Sequence, residues 1–179
     1  MAVQRLFVVV LLFFTGLCAN AQKPDEPQYA NQVAALGADG KLTELEKQTA
    51  KIEAKGHSYI VVTKSTVRYA ISGPHSPVRT PPGESFVVRL HIGDMDPTTM
   101  IHLYKLDADK NSRFYKAAGS SASILGAKTD TADPNTVPIK MDKYGDNSYK
   151  ITTQQPLEPG EYAFVAMGLN AQCFGVDSK

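Results

Sequence analysis

Hydrophobic and polar residues alternate along most of the chain after Tyr29, with a period of two. The pattern is clearest at 86–92, 100–106, 148–152 and 162–167. Because successive side chains of a strand point to opposite faces, this period predicts half-buried strands. Turn-forming residues separate the runs, at 38–40, 81–83, 107–112, 144–147 and 158–160. Short strands divided in this way predict an all-β fold, and we expect an immunoglobulin-like antiparallel β-sandwich.

The segment 41–55 fits two patterns. Its hydrophobic residues lie among Glu and Lys with good helix propensity, although Thr49 stands where an amphipathic helix needs another hydrophobe. The turn at 38–40 instead favours a hairpin in which 29–36 pairs with 41–46. We therefore prefer strands in this segment and keep the helix as the alternative.

The N-terminus has the layout of a secretory signal peptide. A single positive charge, Arg5, precedes an apolar run over 6–14 and a small-x-small site that ends at Ala21. We expect cleavage after Ala21, so that 1–21 is removed and the product is secreted or periplasmic. Residues 22–28 contain two prolines and predict a flexible N-terminus, and 29–179 predicts a single β-sandwich domain.

The charge balance excludes a basic nucleic-acid-binding protein. The chain has 179 residues, 19 of them Lys or Arg and 18 Asp or Glu. Removing the first 21 takes away Arg5 and no acid, which leaves 158 residues with 18 charges of each sign. Outside the leader, no apolar stretch reaches the roughly 20 residues that span a bilayer, so no membrane insertion is expected. Cys173 would be the sole cysteine after cleavage, and we expect it to be a small buried hydrophobe.

The most specific local motif is Leu-Glu-Pro-Gly-Glu-Tyr at 157–162. In immunoglobulin-like sandwiches, a Tyr near the start of a late strand returns its hydroxyl to an upstream backbone group and closes a corner. The motif assigns Leu157 to the core, Pro159 and Gly160 to the turn, and Tyr162 to the hydrogen bond. Its predicted role is structural.

Signatures of catalysis and of metal binding are weak. The sequence contains no Gly-x-Ser-x-Gly elbow, phosphate-binding loop or His-Glu-x-x-His motif. His91 and His102 would face each other if 86–92 and 100–106 formed a hairpin, but no third ligand is evident, and two solvent-facing strand residues are the favoured interpretation. The acidic run at 107–111 resembles the start of a calcium loop but lacks its later Gly and Glu, and we interpret it as a turn. We expect no metal and no cofactor.

Several local motifs stand out along the chain. They include Asp-Gly-Lys-Leu at 39–42, Ser-Pro-Val-Arg at 76–79, Leu-x-Pro-Gly-Glu-Tyr at 157–162 and Cys-Phe-Gly-Val-Asp at 173–177. With these motifs the chain resembles a family of small exported bacterial proteins for which no activity, cofactor or partner is established. The resemblance implies export and a single β-rich domain, and it implies no site residue.

One candidate binding site emerges from the segment around Ser76. Arg79, with Arg89 and His75, could form a patch that recognises an anion, because a guanidinium binds carboxylate or phosphate through two donors. The alternative is a structural ion pair or a solvated arginine, which is the commoner role of such residues.

Together these observations favour an exported, non-enzymatic binding or assembly module. Its ligand is expected to be a protein or another component of the cell envelope. One alternative is a small secreted or periplasmic hydrolase that uses scattered carboxylates or histidines. Another is a structural accessory subunit of an envelope complex. A pocket with convergent ionisable groups would favour the enzyme, and an open edge strand or exposed patch would favour the module.

Overall fold

The computed structural model describes residues 24–58, 62–116, 120–123, 126–129, 135–166 and 168–178, so the predicted signal peptide at 1–21 lies outside the described residues. Within them are sixteen strands and one short 3-10 helix, Pro97–Thr99. The strands are β1 (Val33–Leu36), β2 (Leu42–Glu44), β3 (Glu46–Thr49), β4 (Lys51–Ser58), β5 (Val62–Ser72), β6 (Arg79–Thr80), β7 (Ser85–Arg89), β8 (Ile101–Ala108), β9 (Ser112–Lys116), β10 (Ser120–Ser123), β11 (Gly126–Thr129), β12 (Thr136–Val137), β13 (Ile139–Lys143), β14 (Ser148–Thr153), β15 (Gly160–Ala166) and β16 (Asn170–Val176).

The predicted all-β, antiparallel character is confirmed. A first sheet has the strand order β13-β14-β7-β1-β2. A second, larger sheet has the order β11-β10-β5-β9-β8-β15-β16-β3, with β12, β4 and β6 attached at its sides. Among the strands that the structure describes, every pairing is antiparallel except that of β6 with β16. None of the helical structure in the described residues is long and apolar enough to cross a membrane.

The strand interpretation of 41–55 is confirmed. β1 and β2 form the predicted hairpin, with Leu36 opposite Leu42, and β3 and β4 follow as further strands. Leu45 packs into one hydrophobic core and Ala50 into another. Because the segment contributes first to one core and then to the other, its hydrophobic residues do not follow the regular spacing of a single amphipathic strand or helix.

The second sheet closes almost into a barrel. β3 pairs with β16 and β4 pairs with β5, and only Ala50 separates β3 from β4. The chain therefore leaves one side of the sheet and joins the other within a single residue. β3 and β4 together with β5, β9, β8, β15 and β16 form this barrel-like ring.

The hairpin considered for 86–92 and 100–106 does not form. β7 pairs with β1 and β14 in the first sheet, whereas β8 pairs with β15, β9 and β12 in the second. The segment between β7 and β8 therefore passes from the first sheet to the second. Val88 on β7 and Leu103 on β8 face the same core from opposite sides. His91 therefore follows β7 of the first sheet, whereas His102 lies on β8 of the second sheet, and both are exposed to solvent.

The first hydrophobic core lies between the two sheets. Phe86 of the first sheet meets Phe164 edge to face, with ring centroids 4.9 Å apart, and Phe174 at 4.7 Å. Aromatic pairs of this kind add about 0.5–1.5 kcal/mol beyond the area they bury. The core also takes in aliphatic residues from β1, β7 and β14 on one side and from β8 and β16 on the other.

A second core fills the barrel. It is built from Ala, Ile, Leu, Val, Tyr and Cys side chains on β5, β8, β9, β15 and β16. β15 and β16 therefore bury both of their faces, one against each core. This explains why their central residues are apolar without strict alternation, as in strands covered on both sides.

The corner predicted at 157–162 is present. The Tyr162 hydroxyl donates to the Glu158 carbonyl at 2.8 Å, and Leu157 is buried in the first core. The Leu157 N–H donates to the Pro82 carbonyl at 2.8 Å, which ties the corner to a neighbouring loop. Burial raises the pKa of Tyr162, so its hydroxyl stays protonated and keeps donating.

Candidate functional site

Charged side chains gather at one end of the barrel, in a group that we call the charge cluster. Alternation along β15 turns Tyr162 towards the first core and leaves Glu161 facing the barrel. Around this carboxylate stand side chains from β3, β6 and β9 and the segment before β6. The members of the cluster are Glu46, His75, Arg79, Arg113, Glu161 and Asp177.

Arg113 is the most deeply buried member, with 0% of its side chain exposed. Its Nη1 lies 3.0 Å from Glu46 Oε2 and 3.4 Å from Glu161 Oε2. Its Nη2 donates to Glu46 Oε1 at 3.2 Å and to the Ser72 carbonyl at 3.1 Å. Glu46 thus binds the guanidinium through both oxygens, the fork geometry in which Arg–carboxylate pairs are strongest.

Arg79 closes the cluster from outside. Its Nη1 lies 2.6 Å from Glu161 Oε1, and its Nη2 lies 2.7 Å from Asp177 Oδ1. Burial acts to lower the pKa of Arg79, but hydrogen bonds to Asp177 and Glu161 outweigh it and raise the pKa. The guanidinium lies against Gly175, where a Cβ atom would overlap it. A glycine on β16 is therefore what lets Arg79 reach Glu161.

The structure brings together two of the three residues predicted to bind an anion. His75 is 75% exposed, and its Nδ1 lies 3.4 Å from Glu161 Oε1, the same oxygen that Arg79 contacts. Arg89 lies on the first sheet and donates to the Pro27 and Gln28 carbonyls at 3.3 and 3.0 Å. The donors of Arg79 are engaged by carboxylates of the chain itself, as the structural ion-pair alternative requires. Anion binding here stays a prediction.

The carboxylates of Glu46 and Glu161 are both held by ion pairs and hydrogen bonds, and Glu161 is the more deeply buried of the two. Burial acts to raise the pKa of Glu46, but hydrogen bonds from Arg113, Gln48 and Ser76 outweigh it and lower the pKa. An efficient general acid or base has a pKa near the working pH, whereas this shift moves the pKa of Glu46 further below neutral pH. Glu161 accepts from the Ser76 backbone N–H at 2.8 Å as well as from the guanidinium groups.

Cys173 lies beside the charge cluster and is fully buried, as predicted. Burial raises its pKa to about 12, so it stays a thiol at neutral pH and is a poor nucleophile. In the part of the chain that the structure describes, no three His, Cys, Asp or Glu side chains are grouped to hold a metal ion.

A second feature, which we call the polar groove, opens where the loop before β1 crosses β16 and β3. Its volume is about 740 Å³. It is lined by residues 29–32, 47–49, Lys51, Ser72, Ala166 and 170–172. The lining holds two lysines and no acidic side chain, although the chain as a whole has nearly equal numbers of basic and acidic residues, 19 and 18.

Two buried glutamines fix the wall of the groove. The Gln172 amide accepts from the Val33 N–H and donates to the Asn31 carbonyl, both at 2.7 Å. The Gln32 amide accepts from the Tyr29 N–H at 3.0 Å and donates to Glu44 at 2.8 Å. Residue Asn31 has a φ of 61°, a left-handed conformation that Asn adopts more readily than most residues. The loop is therefore held in one conformation before any ligand arrives.

Several polar side chains of the groove are free to bind a ligand. Within the described residues, the side chains of Asn31, Thr49, Lys51 and Asn170 make neither a hydrogen bond nor an ion pair with the rest of the protein. Tyr29 is 58% exposed, one of the few large hydrophobic residues that the described chain leaves in solvent. Sequence reasoning missed this site, since its residues are distant along the chain and share no spacing pattern.

The fold and these two features define an antiparallel all-β protein with a structural charge cluster and a preformed polar groove. No family model, curated protein or solved structure matches the chain. Its function is therefore inferred from the geometry of the groove and of the cluster.

Proposed function

We propose that the protein is an exported, non-enzymatic binding module whose ligand site is the polar groove. The observation that carries this proposal is the combination of an exposed Tyr29, a loop fixed by buried amides, and free polar side chains around one concavity. The volume of about 740 Å³ falls in the range of small-ligand sites, roughly 300–1,000 Å³. A preformed site binds more tightly, because less flexibility is lost on binding.

Binding is favoured over hydrolysis by where the ionisable groups lie. The convergent carboxylates, Glu46 and Glu161, pair with Arg113 in the charge cluster. The groove is lined by amides, hydroxyls and ammonium groups, with no carboxylate or imidazole among them. Such a lining can orient a ligand through hydrogen bonds and charge but supplies no evident general base.

The site of action in this proposal is the periplasm or the cell exterior, with a component of the cell envelope as ligand. The signal-peptide pattern of 1–21 supports export, and N-terminal sequencing of the protein from its own cells should begin at Gln22. Recovery of the chain with Met1 in place would contradict it. An immunoglobulin-like sandwich is the corresponding fold proposal, supported by the Tyr162 corner between two packed sheets.

The test is capture of envelope components on the immobilised protein and on two matched variants. Thr49→Trp places a large side chain in the groove, on an exposed strand position. Thr43→Trp makes the same change on β2, outside the groove. We expect one defined component to be retained by the wild type and by Thr43→Trp and lost from Thr49→Trp.

Two results would contradict the proposal. Equal retention by all three proteins would place binding elsewhere on the surface. Absence of any retained component, together with turnover of a small molecule from the envelope extract, would favour the hydrolase.

A further inference from the structure

We infer that the ligand of the polar groove is an acidic oligosaccharide, a short chain of sugar rings that carry carboxylate groups. This inference rests on the proposed function and specifies its ligand class. It combines the charge of the groove, the chemistry of its free side chains and its exposed aromatic ring.

The charge of the groove favours an anion. Lys47 and Lys51 line it without an acidic neighbour in the lining. Lys47 shares its ammonium with Glu44 at 3.2 Å, whereas Lys51 has no ion-pair partner in the described structure. An unpaired cation in a concave site raises the local concentration of anionic ligands.

The free polar groups match hydroxyl-rich ligands. The amides of Asn31 and Asn170 and the hydroxyl of Thr49 each present both a donor and an acceptor. A sugar hydroxyl is likewise donor and acceptor at once, so each of these side chains can satisfy it in either sense. Asn170 and Thr49 are directly opposite each other on β16 and β3, which places two such groups side by side.

Tyr29 supplies a surface for the C–H face of a sugar ring. Its backbone is held by Gln32, and the following Asn31 carbonyl is held by Gln172, so the ring stands on an ordered loop. Stacking on an exposed aromatic ring at a fixed position costs little conformational entropy.

A peptide ligand is less well matched. The aliphatic side chains of the lining are those of Ala30, Ala166 and Ala171, which form no deep apolar pocket. Peptides and proteins bind mainly through aromatic or large aliphatic anchors buried in such pockets. The groove therefore offers polar contacts along its length rather than an apolar pocket for a single anchor side chain.

The experiment is isothermal titration calorimetry of the purified protein with four probes. They are a tetramer of galacturonic acid, a neutral galactose tetramer, a tetraglutamate peptide and inorganic phosphate. We expect the uronate to bind at least about tenfold more tightly than the other three, and its affinity to fall as salt rises.

Variants locate the binding. Tyr29→Ala should weaken uronate binding about tenfold, the loss of roughly 1.4 kcal/mol of stacking. Lys51→Gln should weaken it about three- to fivefold and reduce its salt dependence. Met95→Ala and Lys110→Gln remove a similarly exposed hydrophobe and an exposed lysine outside the groove and should leave the affinity unchanged. Circular dichroism checks that each variant is folded.

Equal affinity for the neutral and acidic sugars, preference for tetraglutamate or phosphate, or insensitivity to Tyr29→Ala would each overturn the inference. Failure to bind uronate while an envelope component is still lost on Thr49→Trp would reject the ligand class alone. If the protein neither bound uronate nor lost an envelope component on Thr49→Trp, both the ligand class and the proposed function would be rejected.

Discussion

Arg113 shows how a single side chain organises one end of the barrel. Burying a guanidinium is costly unless its donors are paired, and here Glu46, Glu161 and the Ser72 carbonyl accept from the two Nη groups of Arg113. The same carboxylate of Glu161 receives Arg79 from outside. Four strands that are distant in sequence are thereby tied together by one interior charge and its partners.

Removing the guanidinium should be strongly destabilising. Arg113→Met leaves Glu46 and Glu161 without their shared cation, and we expect the free energy of unfolding to fall by about 3–5 kcal/mol. Urea denaturation measures this change. Lys140→Met, at an exposed position on β13, should change it by less than about 0.5 kcal/mol. A loss below about 1 kcal/mol for Arg113→Met would show that the cluster contributes little to stability.

The carboxyl of Glu46 should make stability depend on pH. Because its folded pKa lies below the ordinary value of 4.5, the unfolded chain takes up this proton first as the pH falls. The stabilisation is therefore full above about pH 4.5 and is lost as the pH falls through the folded pKa.

Glu46→Gln removes this titration. The difference in unfolding free energy between wild type and variant should shrink between about pH 7 and about pH 3 in urea denaturation series. Asp94→Asn, on an exposed loop, is the control. A difference that stays constant across this range would contradict the lowered pKa.

At the scale of elements, β15 and β16 have an unusual role because each serves two cores. One face of β15 presents Tyr162 and Phe164 to the first core, and the other presents Ala163 and Val165 to the second. The smaller side chains of β15, Ala163 and Val165, are therefore the ones that face the barrel. The polar Glu161 is placed on the barrel face, where the charge cluster receives it.

The Tyr162 corner contributes one hydrogen bond to this arrangement. Tyr162→Phe keeps the ring in the first core and removes the bond to the Glu158 carbonyl. We expect a loss of about 0.5–1.5 kcal/mol in unfolding free energy, with ligand capture by the groove unchanged. Tyr149→Phe is a matched control, since its ring packs against the first core and Lys143 while its hydroxyl makes no hydrogen bond within the described residues. A change in ligand capture would contradict the purely structural role expected for Tyr162, which lies outside the groove.

At the scale of the whole molecule, the two cores are joined through shared strands. β8, β15 and β16 take part in both, so neither core can lose its strands without exposing the other. The two layers and the barrel are therefore expected to unfold as one cooperative unit.

Matched substitutions test this cooperativity. Ile101 in the first core and Ile71 in the second are both fully buried. Ile→Val at either position should lower the unfolding free energy by about 0.5–1.5 kcal/mol. Circular dichroism and tyrosine fluorescence should report the same midpoint in each variant, the chain having no Trp. Two separate transitions, with each variant shifting only one, would mean that the cores unfold independently.

Local chemistry could be predicted from the sequence where it acts over a few residues. The alternation predicted the strands, the turn at 38–40 predicted the β1–β2 hairpin, and the motif at 157–162 predicted the hydrogen bond of Tyr162. Whether 86–92 pairs with 100–106 could not be predicted from alternation, and in the structure the two segments belong to different sheets. Alternation identifies which face of a strand is buried but not which sheet the strand joins.

The sequence by itself therefore determined an antiparallel all-β chain with a buried Cys173 and a tyrosine corner. Only the tertiary structure decided that one sheet closes almost into a barrel, since that depends on β3 and β4 pairing with opposite sides of it. It alone gathered Arg79, Arg113 and Glu161, and it alone formed the groove beside Tyr29. Such sites depend on contacts between residues 48 to 141 positions apart, and no local propensity or spacing records them.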